Sequence, residues 1–261
     1  SDVGLVNVPH VPAPAGLDEL ARGIDSRMLP EIDTLPIHFM PGVRTPAGAG
    51  PEGWSQSDVM RGEECETLGA WLALRDRPTA LEFCSQRNLF LWPGSHTKLV
   101  EVDPSGRIER SHTTLAGELL DALARHTLLA ASLPREWPEE LDPGALAEGA
   151  RLARREGLGR SAFLVRIAHL AGRFDPAQRA AFLIGAAVAD DVSHLTPHMR
   201  GPVLWIGGRQ PLRDLYAAEL KATGLGCVEA IDDHLAESAS ARGALAIALR
   251  LDELGLSAGM H

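Results

Sequence analysis

Three short stretches of this chain carry the residue types that phosphate binding, proton removal and anion binding require. The first is LFLWPGSHTKLVEVD, an apolar strand that ends in a loop and returns at once as a second strand. Its loop, Gly94, Ser95, His96, Thr97 and Lys98, can turn backbone N–H groups, two hydroxyls and one ammonium toward a phosphate. It is not a Walker loop, which needs a second glycine and a following helix. An ordinary hairpin turn fits this segment equally well. The second stretch, DVMRGEECETLGA, sets Arg61 beside Glu63 and Glu64 where a loop enters a helix. Arg61 can clamp an anionic group, and either carboxylate can accept a hydroxyl proton held near it. Acidic residues also stabilise a helix start with no further role, so the pattern alone does not decide. The third stretch, VLWIGGRQPLRDLY, places Gly207 and Gly208 at the end of a strand, where ligands approach open α/β sheets. A plain strand-to-helix turn reads the same way. His194 and His198 have Pro197 between them and no HExxH glutamate, which argues against zinc, and no G-x-S-x-G elbow surrounds Ser85, Ser95 or Ser193.

These side chains need elements to hold them. Eight prolines precede Gly53, so the opening segment reads as short strands and loops rather than helices, and residues 41–57 read as an exposed loop. Cys65, Leu68, Trp71 and Leu72 recur at helical spacing from Gly62 onward. Asn88 to Trp92 is a strand, and KLVEVD with RIERSH is a hairpin about Asp103-Pro104-Ser105-Gly106. Helices are expected along TLAGELLDALARHTLLA and near 143–155, 160–171 and 176–190, the last opened by Asp175, Pro176 and Gln178. The strand Pro202 to Ile206, a helix over 210–223, a strand Gly226 to Ile231 and a helix over 235–251 complete the chain, an alternation that implies a parallel α/β layer.

Composition narrows the classes. At 261 residues, 45% apolar and 23% charged, the chain has the make-up of a globular protein with one large or two medium domains. Its net charge of −10 opposes binding to nucleic acid or anionic lipid. The longest apolar run, Ala180 to Ala189, is too short to span a membrane, and no signal peptide is legible. Three cysteines, Cys65, Cys84 and Cys227, without C-x-x-C spacing suit a reducing compartment, so a cytoplasmic location is expected.

The three stretches, in this order, carry a resemblance. DVMRGEECETLGA is similar to the signature DVMRGEETQLIGA, WPGSHTKLV to PGTHSKWV, and TTLAGELLDALARHTLL to T-x-MTGELFxLLxxHSLL of the 2-dehydro-3-deoxygalactonokinase family. That family belongs to the sugar kinase, heat-shock protein and actin superfamily. The matches fall within residues 58–129, with weaker similarity from SDVGL and VPAPA to the Gly-Gly segment. The resemblance implies an α/β, ribonuclease H-like (actin-like ATPase) two-domain fold with its first domain incomplete. Residues 1–80 would be a remnant of that domain and 81–261 the second, with the helix at 235–251 packing back toward the first. It further implies ATP-dependent phosphorylation of 2-dehydro-3-deoxy-D-galactonate in galactonate catabolism, with ATP and Mg²⁺ as cofactors and the sugar acid as small-molecule partner. Self-association stays open.

On this reading Gly94, Ser95, His96, Thr97, Lys98, Gly207 and Gly208 bind the nucleotide. Arg61 and Asp2 bind the substrate, and Glu64, favoured over Glu63, removes the hydroxyl proton with Arg61 assisting. The sequence departs from the family pattern at Cys65, Glu66, Leu99 and Leu115-Ala116, and exchanges the order of the hydroxyls at Ser95 and Thr97. The family's D-W-G-[ST] motif, whose Asp organises Mg²⁺, does not occur in the sequence. The expectation is a chain that begins just before the missing domain's last strand. The alternative function is a catalytically inactive relative, or a fragment, that keeps a sugar-acid or nucleotide pocket.

Overall fold

The computed structural model describes residues 8–30, 32, 35–77, 85–199, 203–225 and 227–256. Its centre is a five-stranded sheet. Antiparallel strands β6 (Asn88–Trp92), β7 (Thr97–Val102) and β8 (Ile108–Thr114) run in succession, and β9 (Val203–Ile206) and β10 (Cys227–Ala230) add in parallel on the far side of β6. The order β10-β9-β6-β7-β8, with β7 alone reversed, is the ribonuclease H-like arrangement expected from the resemblance. Asp103 makes the β7–β8 turn by accepting the N–H groups of Ser105 and Arg107 on its carboxylate.

Period-two alternation decides what covers each face. Phe90, Trp92, Val100 and Val102 point to one side, into a core shared with α2 (Glu63–Arg75) and α7 (Asp233–Glu253). Leu89, Leu91, Leu99, Leu204 and Ile206 point to the other, against α5 (Pro176–Leu195) and α6 (Leu212–Ala222). Outside α5 lies α4 (Pro143–Leu170), which Gly157, at φ 77° and ψ 164°, divides into two helical halves as the sequence pattern predicts. Asp175 and Gln178 cap α5 reciprocally.

The opening segment differs in part from expectation. It does form short strands, β1 (His10–Pro12), β4 (Gly42–Thr45) and β5 (Asp58–Met60) in one three-stranded sheet, and a hairpin of β2 (Asp25–Arg27) with β3 (Ile37–Phe39). It also holds a helix, α1 (Leu17–Arg22), which Leu20 and Ala21 anchor in the core, and β4 occupies the start of the supposed loop at 41–57. Tertiary burial of Val43 overrides the Pro- and Gly-rich local signal. The same apolar core contains Leu20, Val43 and Met60 with Phe90 and Trp92, and Ser111 of β8 donates its N–H to the Thr45 hydroxyl of β4, so the small sheet packs directly on the large one. Helix α7 packs on both α1 and α2. Among the described residues no helix is long and apolar enough to cross a membrane.

Candidate active site

The ends of β6 and β9 and the start of α2 meet at one place. Trp92, the last residue of β6, donates its indole N–H to the Thr67 hydroxyl of α2 at 2.9 Å, both groups being buried. Gly207, just beyond β9, donates its N–H to Leu91 O at 2.9 Å and lies flat on the Trp92 ring. A Cβ at residue 207 would stand 1.9 Å from Trp92 Cζ3, so only glycine lets strand and indole approach this closely. Gly208 rests beside the Pro93 carbonyl. The three stretches singled out in the sequence are thereby brought together.

At the acidic junction the two glutamates take different roles, as successive helical positions require. Glu64 is 1% exposed and accepts the Gly62 N–H on both oxygens, at 2.9 and 2.7 Å. Burial raises its pKa to about 7 against the pull of that amide. This is the geometry of a helix-start clamp, whereas the sequence favours Glu64 over Glu63 as the group that removes the proton. Glu63, half-buried, accepts the Arg61 backbone N–H at 3.2 Å and is the more accessible carboxylate. Glu66, one turn on, is pushed to about 7 by burial and by the charge of Glu63, while Arg209 opposes the shift. Sequence reasoning singled out neither Glu66 nor Arg209 as functional. The i, i+3 spacing from Glu63 was the available signal for the first, and adjacency to the Gly-Gly pair for the second.

The buried Glu64 has a consequence for stability. Its folded pKa lies above the ordinary 4.5, so the folded chain holds a proton over an interval in which the unfolded chain has released it. Stability is therefore lost as pH rises from about 4.5 to about 7, by up to roughly 3 kcal/mol for this group. Glu64→Gln should remove that slope, raising the urea midpoint relative to the parent at pH 8 and leaving it unchanged at pH 4. Equal pH dependence in both proteins would contradict the assignment.

The loop after β6 is pinned to helix α3 (Ala116–His126). Ser95 O accepts the Glu118 N–H at 3.0 Å, and His96 Nε2 lies 2.9 Å from Glu118 Oε1. Ser95 itself is exposed. Thr97 and Lys98 belong to β7 and leave the loop on opposite faces. The Thr97 hydroxyl is buried 3.0 Å from Tyr216 OH, which donates to Asp191 Oδ2 at 2.5 Å. Burial and that carboxylate push the Tyr216 phenol up. Lys98, 5% exposed, donates its ammonium to Val59 O at 2.8 Å and Thr113 Oγ1 at 2.7 Å. The phosphate contacts expected of Thr97 and Lys98 therefore need correction: both polar ends are already satisfied by other elements. Tyr216→Phe leaves the buried Asp191 carboxylate without this donor, an expected cost of about 1–3 kcal/mol in urea unfolding. No measurable loss would contradict the network.

Beside the loop lies a cavity of ≈ 420 Å³. Gly94 and Ser95 form one wall, Gly117 of α3 another, Ile184 and Val188 of α5 the floor, and Pro211, Leu212 and Leu215 the side next to the Gly-Gly turn. Trp137 and Glu139 reach over it from the α3–α4 connection. Its size falls in the range of small-molecule sites, roughly 300–1,000 Å³. The N-termini of α3 and α6 both end at its wall, where backbone N–H groups favour an anion. Asp2 and Cys84 lie outside the described residues.

With this geometry in hand, the comparisons with known proteins are specific. The family model for 2-keto-3-deoxy-galactonokinase matches residues 1–247. The chain belongs to that family. It is 30% identical over 147 residues to 2-dehydro-3-deoxygalactonokinase of Escherichia coli (strain K12), covering 54% of this chain and 44% of that protein. A protein of Rhizobium meliloti (strain 1021) named as a probable 2-dehydro-3-deoxygalactonokinase is 33% identical over 121 residues, covering 46% and 33%. Each curated match thus spans less than half of the relative's length. A crystal structure from Sinorhizobium meliloti, provisionally described as a 2-dehydro-3-deoxygalactonokinase protein, superposes with a TM-score of 0.73 at 26% identity over 92% of this chain and 75% of that one. The family's mixed α/β fold is therefore the fold of this chain.

Proposed function

We propose that this chain of the 2-keto-3-deoxy-galactonokinase family serves an ATP-dependent kinase activity toward 2-dehydro-3-deoxy-D-galactonate, acting in galactonate breakdown. The observation that carries this reading is the convergence of the three family stretches, through Trp92, Thr67 and Gly207, beside an apolar cavity lined by Gly94 and Ser95. The nucleoside occupies the cavity, stacked near Trp137. Its phosphates run along the N–H groups of Gly94 and Ser95 toward Gly207 and Gly208. In phosphoryl transfer the protein chiefly aligns the groups and stabilises charge. Glu63 takes the proton from the substrate hydroxyl as that oxygen bonds to the γ-phosphorus and the bond to the ADP oxygen breaks. Arg61 holds the acceptor beside it.

Among the described residues no three His, Cys, Asp or Glu side chains converge on a metal position. A Mg²⁺ ion would be held by the nucleotide phosphates, water and one or two carboxylates, as this ion prefers. In domain terms, residues 1–80 read as belonging to a first ribonuclease H-like domain and 81–261 as the second. The partners are the sugar acid and ATP, and a cytoplasmic setting suits both.

Calorimetric titration with Mg·ATP tests the pocket. The parent should bind, and Leu215→Arg, which places a long cation in the cavity, should bind at least about tenfold more weakly while keeping its thermal midpoint within a few degrees. Undiminished binding by the variant would remove the nucleoside from this cavity.

A further inference from the structure

We infer that His10, Arg44 and Arg61, on the outer face of the three-stranded sheet, form the seat for the substrate's carboxylate. This rests on the kinase reading above and names the residues that recognise the acid end.

Strand geometry builds the face. The register sets His10 opposite Gly42, and Arg44 opposite both Pro12 and Val59. Alternation then puts His10, Gly42, Arg44 and Val59 on one side, while Val43 and Met60 turn into the core. Arg61 continues that side one residue beyond β5. Its Nη2 donates to Val8 O at 2.5 Å and lies 3.3 Å from His10 Nδ1. Gly42 leaves room for the imidazole, because a Cβ there would stand 2.4 Å from His10 Cδ2. Lys98 supports the face from the large sheet through its bond to Val59 O.

Neither Arg44 nor Arg61 forms an ion pair among the described residues, and Arg61 Nη1 is enclosed without any acceptor. Asp58 accepts the Thr113 hydroxyl, and Glu63 accepts the Arg61 backbone N–H. Burial, with the charges of Arg61, Arg44 and Lys98, lowers the pKa of the His10 imidazole. An exposed arginine, an enclosed guanidinium with a donor to spare and an imidazole beside them suit a planar anion with two acceptor oxygens. Arg61 is two residues from Glu63 in the chain, so one acid molecule can meet the cation seat and the proposed base together. A phosphoryl group is the competing anion, and the test separates the two.

The experiment measures calorimetric binding of three probes: 2-dehydro-3-deoxygalactonate, its neutral analogue with hydroxymethyl in place of the carboxylate, and ADP. The parent should prefer the acid over the neutral analogue. Exposed Arg44→Gln, with His10→Asn as a second variant in case one side chain compensates, should lose about tenfold in affinity for the acid, the scale of one charged hydrogen bond. Neutral-analogue and ADP affinities should not change. If both variants keep the parent's acid preference with ADP binding intact, the inference is overturned and the kinase reading stands. If they weaken ADP instead, the seat serves phosphate and the inference is equally overturned. A parent that binds ADP but no sugar acid overturns the substrate assignment and this inference together.

Discussion

Glu63→Gln is expected to lower kcat by about 10²–10⁴-fold with modest change in KM, the amount a positioned general base typically supplies. The amide keeps the shape and the contact to the Arg61 N–H while removing the proton acceptor. Glu64→Gln should change kcat far less, because that carboxylate is enclosed and spent on Gly62. The contrast between neighbouring residues is the informative quantity. It separates a carboxylate that meets the substrate from one that fixes the helix start. The reverse order would restore Glu64 as the base and imply that the helix start opens when substrate binds. Equal, small effects would leave the whole acidic junction as a helix-stabilising feature.

The second large effect is expected at Gly207. An added methyl there meets the Trp92 ring at 1.9 Å, while the Gly207 N–H is held by Leu91 O of β6. Overpacking of this kind costs about 1–3 kcal/mol, and the ring or the turn must move to relieve it. Gly207→Ala should therefore lower the urea midpoint and weaken Mg·ATP binding together. Combining it with Trp92→Leu should recover part of the binding, because the smaller side chain vacates the contested space. That non-additivity identifies the contact as the cause. If Gly207→Ala binds Mg·ATP as the parent does, the Gly-Gly turn has no part in the nucleotide site.

Much of the scaffold was legible because its signals are local. The Asp103 turn, the Asp175-Pro176-Gln178 cap and the break between the halves of α4 all follow from residue chemistry within a few positions. The opening segment was harder to read. Helix α1 and strand β4 owe their form to burial of Leu20 and Val43 against elements far along the chain, which no short window contains. At the site, residue types were readable but orientations were not. Lys98 and Ser95 are three residues apart, yet the strand begins between them and turns Lys98 toward Val59 while Ser95 stays at the cavity. The choice between Glu63 and Glu64 likewise depended on helix phase, which is set by the packing of α2 on the sheet through Thr67 and Trp92. His10 and Arg44 come together only through the pairing of β1 with β4, and Glu66 meets Arg209 only because β9 ends beside α2.

Transfer itself is the most direct test of the central claim. The protein is incubated with Mg·ATP and 2-dehydro-3-deoxy-D-galactonate and followed by ³¹P NMR. The account expects a new phosphomonoester resonance growing in step with ADP, slowed at low Mg·ATP by Leu215→Arg and strongly reduced by Glu63→Gln. ATP that stays unchanged in the presence of the acid, from a protein shown by calorimetry to bind both, would contradict the kinase assignment and favour a relative that keeps the pocket without the chemistry.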